Sequence, residues 1–113
     1  MYEDFKYKEI THKIIGCAME VHKILGNGFQ EAVYQNAMSI EMSLASLSFN
    51  EEFEMPVYYK GHHIKTRRVD FLVESDISVE LKAVHILDES HIAQAINYLE
   101  AYNLEIGLLL NFG

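Results

Sequence analysis

A chain of 113 residues, half of them hydrophobic and with a single proline, is long enough for one core and too apolar to be disordered. Its formal charge of −8 argues against a general nucleic-acid coat, because non-specific phosphate binding draws on clustered Lys and Arg. The lone Cys17 admits neither an internal disulfide nor a cysteine-based zinc site, no apolar run nears the roughly 18 residues of a membrane span, and the charged, aromatic stretch Met1 to Ile10 is unlike a signal sequence. A single cytoplasmic domain over residues 1–113, with no membrane partner, is the expectation.

Apolar residues at Ile10, Ile14, Cys17, Ala18, Val21 and Leu25 recur at three- and four-residue spacing, which predicts an amphipathic helix from about Glu9 to Leu25. Gly26-Asn27-Gly28 should end it, since glycine and asparagine accept the left-handed conformation just past a helix. A second helix is predicted over Gln30 to Leu47, with Val33, Ala37, Ile40, Leu44 and Leu47 as its apolar stripe. Glu31 falls in its first turn, where the helix dipole favours an acid without any functional reason. Tyr34 follows one turn later, placed to pack over Glu31 or to hydrogen-bond to it.

Phe53 to Tyr59 has strand character, and Pro56 makes an edge position or an irregular start the natural reading. Lys60-Gly61-His62 is a turn signal, His63 to Val73 a second strand, Ser75-Asp76 a second turn, and Ile77 to Val84 a third strand. Between Met55 and Val69 there is no acid, while Lys60, Lys65, Arg67 and Arg68 gather with His62 and His63. A solvated hairpin accounts for this; the alternative is a phosphate-contacting edge beside an acidic pocket.

The acidic residues of this meander lie in otherwise apolar runs. Asp70 sits alone in Val69 to Val73, and Glu80 and Lys82 interrupt Ser78 to Val84. Residues two apart on a strand share a face, so Glu80 and Lys82 point one way while Val79, Leu81 and Ala83 point the other. A structural ion pair at a strand end is the ordinary explanation. A carboxylate so placed is costly unless paired or bound to a cation, and a hairpin would bring Asp70 beside both Glu80 and Lys82.

Leu87 to Ser90 breaks the pattern, and a helix from about Ser90 to Tyr102 follows, with Ile92, Ala93, Ile96, Leu99 and Ala101 apolar and Ser90 or Asp88 as its cap. Glu105 to Phe112 is apolar on both faces, as a covered strand would be. After a crossover helix it should pair parallel to a meander strand. Met19, Met38, Met42 and Met55 read as core filling. His12, His62, His63, His85 and His91 show no zinc spacing on one helix, and no phosphate-binding glycine loop or nucleophile elbow is present.

Gly28 to Tyr34 spells GxxExxY and is followed by Asp70, Glu80-Leu81-Lys82 and Gln94-Ala95-Ile96-Asn97-Tyr98. With Glu20-Val21-His22, Val57 to Gly61 and Leu108 to Gly113, these residues make the chain resemble the GxxExxY protein family of the PD-(D/E)xK nuclease-like superfamily, from about Ile14 to Gly113. Asn27 stands where that family often has proline.

The resemblance implies an α/β fold: a restriction-endonuclease-like αβββαβ core with a mixed four-stranded sheet flanked by helices, here with an extra N-terminal helix. It also implies a Mg²⁺- or Mn²⁺-dependent phosphodiesterase acting on nucleic acid, with DNA as the expected substrate. Glu31, Asp70, Glu80, Lys82 and Gln94 would be its catalytic residues. Asp70, Glu80 and Glu31 would offer hard oxygen ligands to the metal. Lys82 would stabilise negative charge, and Gln94 and Tyr98, four apart on one helical face, would form the QxxxY motif. Tyr34 and His22 would support the site, His22 being equally placed for a packed role at a helix end. Lys65, Arg67 and Arg68 would contact the nucleic-acid backbone. A catalytically silent module of the same fold, binding nucleic acid or a protein partner, is the alternative. A homodimer or larger complex would suit so small a domain, although no motif specifies one.

Overall fold

Helix α1 (Tyr2–Leu25) opens the fold, its buried face formed by Ile14, Cys17 and Val21 with Ile10, Ala18 and Leu25 packed beside them. The computed structural model describes residues 2–113, with side chains from Tyr7 onward; Met1, part of the stretch compared above with a signal sequence, lies outside them. No helix among the described residues is long and apolar enough to cross a membrane. After α1 come α2 (Glu31–Leu44), β1 (Phe49–Tyr59), β2 (His62–Val73), β3 (Ile77–Lys82), α3 (Glu89–Tyr102) and β4 (Ile106–Asn111). This is the expected αβββαβ order preceded by one helix.

The sheet runs β1-β2-β3-β4, antiparallel in its first two pairings and parallel in its last. The parallel pairing follows from α3, which carries the chain back across the sheet before β4 begins. Both hairpins turn on left-handed residues. Lys60 (φ 49°) and Gly61 (φ 80°) form a two-residue turn whose twist matches the flanking strands, and Glu74 (φ 52°) and Ser75 (φ 62°) turn β2 into β3. Pro56 sits on the outermost strand, opposite Thr66, the edge position its missing N–H favours.

Several expectations are corrected. On α2 the buried stripe is Tyr34, Met38 and Met42, while Val33, Ile40 and Leu44 are exposed. The helix carries two apolar stripes about one residue apart, and the tertiary bonds of Tyr34 select between them. On α3, Ile92 and Ile96 are half exposed and Tyr98 is buried, since the face of that helix turned to the outer hairpin carries Gln94, Asn97 and Tyr98. Met19 is 69% exposed and is not core filling, unlike Met38, Met42 and Met55. Strand β1 begins at Phe49, not Phe53, anchored by the edge-to-face contact of Phe49 with Phe71 at 5.5 Å.

The core has two parts, and β2 contributes to both. Phe71 and Val73 join the cluster under α1 and α2, whereas Val69 packs with Met55 and Tyr98 under α3. The change occurs at Asp70. Opposite it on β1 stands Glu52, in the left-handed conformation at φ 48°, and these two residues form no ladder partners although their neighbours on both sides do. The register stays in step across this break; the shift in the hairpin lies further out, between Val57 and Tyr58.

Two further devices hold α3. Asp88 caps it by accepting from the Ser90 amide (2.9 Å) and the His91 amide (3.3 Å), and the His91 ring accepts from the Asp88 amide at 3.2 Å, closing a reciprocal box. Gly107 on β4 leaves room for the helix: a Cβ there would stand 2.7 Å from Ser78 Oγ and 3.0 Å from Leu99 Cδ2.

Candidate active site

Strands β2 and β3 pair only from Phe71–Val73 to Ile77–Val79 and then diverge. The fork leaves backbone N–H groups without ladder partners, and two carboxylates take them. The Asp70 amide donates to Glu80 Oε1 at 3.2 Å, and the Leu81 amide donates to Asp70 Oδ2 at 2.7 Å. These bonds satisfy groups that would otherwise be orphaned and lock both acids at the fork. Strand β3 stays paired to β4 through Lys82–Asn111, and the Phe112 amide donates to the Lys82 carbonyl at 2.8 Å. The Asn111 side chain extends this pairing by accepting from the Val84 amide (3.0 Å) and donating to its carbonyl (2.9 Å). The backbone bearing Lys82 is thereby fixed on one side and open on the other.

The site is electrostatically crowded. Burial first, then the neighbouring Asp70 charge, pushes the Glu80 carboxyl from 4.5 up to about 7. Asp70 is raised too, mainly by burial and further by the charges of Glu31 and Glu52, despite its bond from Leu81 and the proximity of Lys82. Lys82 forms no direct ion pair with Glu80 among the described residues; it acts on both acids at longer range. The structural ion pair expected at this strand end is therefore absent, because Glu80 points across the fork instead.

The GxxExxY segment is a clamp that presents Glu31. Gly28 has φ 108°, a conformation closed to other residues without strain. The buried Tyr34 hydroxyl donates to the Gly26 carbonyl at 2.6 Å and accepts from the Phe29 amide at 3.3 Å, while its ring stacks on Phe112 with centroids 4.6 Å apart. Tyr34 thus does not bond to Glu31, as one reading of the sequence had it; it pins the loop from which α2 starts. Glu31 occupies the first turn of α2, exposed, and its charge reaches both Asp70 and Glu80.

The remaining candidates divide. Gln94, Tyr98 and Arg67 line one groove of about 500 Å³ between the outer hairpin and α3, together with Val57, Asn97 and Tyr102. Tyr98 ties it to the acids: burial and then the charge of Glu80 push its phenol upward, against the opposing pull of Arg67. Lys65 shares the ribbon face of Arg67, since their partners Val57 and Met55 alternate with outward residues. Arg68 does not; it points to the opposite face and pairs with Glu54 at 3.4 Å. His22 also stands apart, 6.3 Å from the Phe112 ring in a groove of α1 and β4 that none of the acids lines.

Two residues of the site escaped the sequence reading. Glu52, whose charge reaches Asp70, lies in an acidic run that carries no distinguishing signal. Tyr102 was open to inference, lying four residues after Tyr98 on the same helical face; its hydroxyl donates to the Pro56 carbonyl and ties α3 to β1.

Among the described residues no three His, Cys, Asp or Glu side chains stand close enough to hold a metal ion. Asp70 and Glu80 nonetheless converge with hard oxygens, and each is disfavoured as an anion by burial and by like charge. A divalent cation relieves that crowding, so the donor set fits Mg²⁺ or Mn²⁺. Comparison with curated proteins and with solved structures yields no match. The family model of the PD-(D/E)XK nuclease superfamily matches residues 8–113, nearly the whole chain, and the protein belongs to that superfamily.

Proposed function

We propose that the protein is a metal-dependent nuclease of the GxxExxY branch, hydrolysing phosphodiester bonds in DNA, and that Asp70 and Glu80 hold a Mg²⁺ or Mn²⁺ ion with Glu31 as a further acid. The observation that carries this reading is the mutual placement of Asp70 and Glu80 at the β2–β3 fork, each bonded to backbone and each raised in pKa. When bound, the ion would supply Lewis acidity toward a phosphate oxygen and a more acidic water.

The chain's own residues supply the rest. Lys82, on the same strand as Glu80 and beside both acids, stabilises negative charge developing on the phosphate. Gln94 presents an amide that orients water or the Lys82 amine, and Tyr98 walls the site against the groove. Lys65 and Arg67 attract the substrate backbone. Cleavage of single- and double-stranded DNA and RNA, assayed in Mg²⁺ and in Mn²⁺, tests the proposal with Asp70→Asn and Lys82→Ala as comparisons. Metal-dependent cutting by the wild type that both variants lose is the expected outcome; no cutting, or equal cutting by all three, refutes it.

That no three His, Cys, Asp or Glu ligands cluster among the described residues favours one second reading, a catalytically silent module on the same fold. Nucleic-acid binding without cutting, in a protein that no divalent cation stabilises, would establish it.

A further inference from the structure

The two edges of the sheet are built differently. On one side β1 carries Glu51, Glu52 and Glu54, the left-handed break at Glu52, Pro56 and the register shift between Val57 and Tyr58. Charge, proline and bulge are the devices that keep a foreign strand from pairing with an edge. On the other side β4 reads Ile-Gly-Leu-Leu-Leu-Asn, with no charge, no proline and an unbroken register. Its one strand neighbour among the described residues is β3.

The free side of β4 is open. The Phe112 amide donates to the Lys82 carbonyl, so by alternation Leu108 and Leu110 also direct their backbone groups toward β3, and Gly107, Leu109 and Asn111 direct theirs outward. A groove of about 590 Å³ between α1 and β4 is lined without a gap from Leu109 to Gly113. Alternate side chains point to opposite faces, so that continuity places the backbone edge itself in the groove. Ile15 (41% exposed) and Met19 (69%) flank it from α1. On the opposite face Leu99 of α3 stands against Gly107, and Ile92 and Ile96, each 49% exposed, continue its helical stripe.

We infer that β4 pairs antiparallel with β4 of a second copy of this chain, joining the two sheets into one. Two features select a second copy over an unrelated strand. The edge is self-complementary: with Leu109 on a two-fold axis, Leu109 meets its own copy and Gly107 meets Asn111, which satisfies every outward backbone group of the strand. Leu108 then lies beside Leu110 of the second copy on the other face. The charges also match. The same register sets Glu105, just before β4, opposite Gly113 of the second copy, whose groove is lined there by His22 and Lys23. No acid lines that groove among the described residues, so two chains of charge −8 meet where repulsion is least.

Sedimentation equilibrium of the whole chain, from about 1 to about 100 µM, tests this. The wild type should approach twice its monomer mass of 13.0 kDa. Leu109→Pro removes an outward N–H and spares the ladder to β3, and should weaken association about a hundredfold. Glu105 and Lys23 are both exposed, so they test the register without touching the core. Glu105→Lys and Lys23→Glu should each weaken association about three- to tenfold, and the double variant should restore it. A monomer at every concentration overturns the inference. So does a dimer retained at full strength by a Leu109→Pro protein that melts like wild type, or a double variant no tighter than the single ones. The charge reversals decide even if Leu109→Pro misfolds. Cleavage enters none of these outcomes, so the inference and the nuclease reading stand or fall separately.

Discussion

From Val69 to Val73, strand β2 is enclosed by two hydrophobic clusters, with Asp70 bonded across the fork. From His62 to Arg68 the same strand is exposed along its whole length, basic and flanked by tyrosines. The inner half is built by packing: its acid, Asp70, is held by the Leu81 amide, and its burial disfavours the charged form. The outer half is held by little beyond its ladder and its two-residue turn, which leaves its side chains available to a ligand. One strand thus carries an enclosed acidic segment and an exposed basic one, and the break at Asp70 and Glu52 separates them.

The largest expected effect separates the halves kinetically. Glu80→Gln should lower kcat by about a thousandfold, the several kcal/mol a metal-bound phosphate oxygen is worth. Arg67→Gln should instead raise KM by about tenfold with kcat nearly unchanged, because it removes binding that is uniform along the reaction. Steady-state cleavage by both variants measures the split, and a kcat loss confined to Arg67→Gln would reverse the assignment.

Next in size is a pH effect confined to the inner half. The folded Glu80 carboxyl, at about 7, lies above its ordinary value of 4.5, so the native state holds a proton that the unfolded chain releases. Stability of the metal-free protein should therefore be unaffected by this group below about pH 4.5 and fall as pH rises through 7. The loss should be on the order of 3 kcal/mol, and Glu80→Gln should remove most of it. Urea unfolding at a series of pH values in EDTA checks this, and an equal slope in the variant contradicts it.

Tyr34→Phe tests the clamp under Glu31. Removing the hydroxyl bonded to Gly26 and Phe29 should cost about 1–2 kcal/mol, seen as a lower melting midpoint, while the stack on Phe112 remains. The smallest effect belongs to the ribbon. Ile64→Thr, at a residue 61% exposed, should change stability by less than about 0.5 kcal/mol; a larger loss would mean that the outer half is part of the core.

Much of this was legible in the chain. The element order, both hairpin turns and the convergence of Asp70 with Glu80 follow from spacing and alternation, because period and turn chemistry are local properties. Which stripe of α2 faces inward was not, since Val33, Ile40 and Leu44 are as apolar as Met38 and Met42, and the choice is made by distant partners of Tyr34. The separation of Arg68 from Arg67 depends on Glu54, a cross-strand neighbour that only the register reveals. Likewise Glu52 needs the fold before its charge meets Asp70. His22 lay close in sequence to the Gly-Asn-Gly break, yet the break turns the chain away and leaves that ring against Phe112.

The central claim is that the Asp70–Glu80 pair is a divalent-cation site, and calorimetric titration of the whole chain with Mn²⁺, beside Glu80→Gln, tests it most directly. The account predicts saturable binding by the wild type that strengthens as pH rises through about 7 and is lost in the variant. Binding that the variant retains at full strength, or none in the wild type, would contradict it.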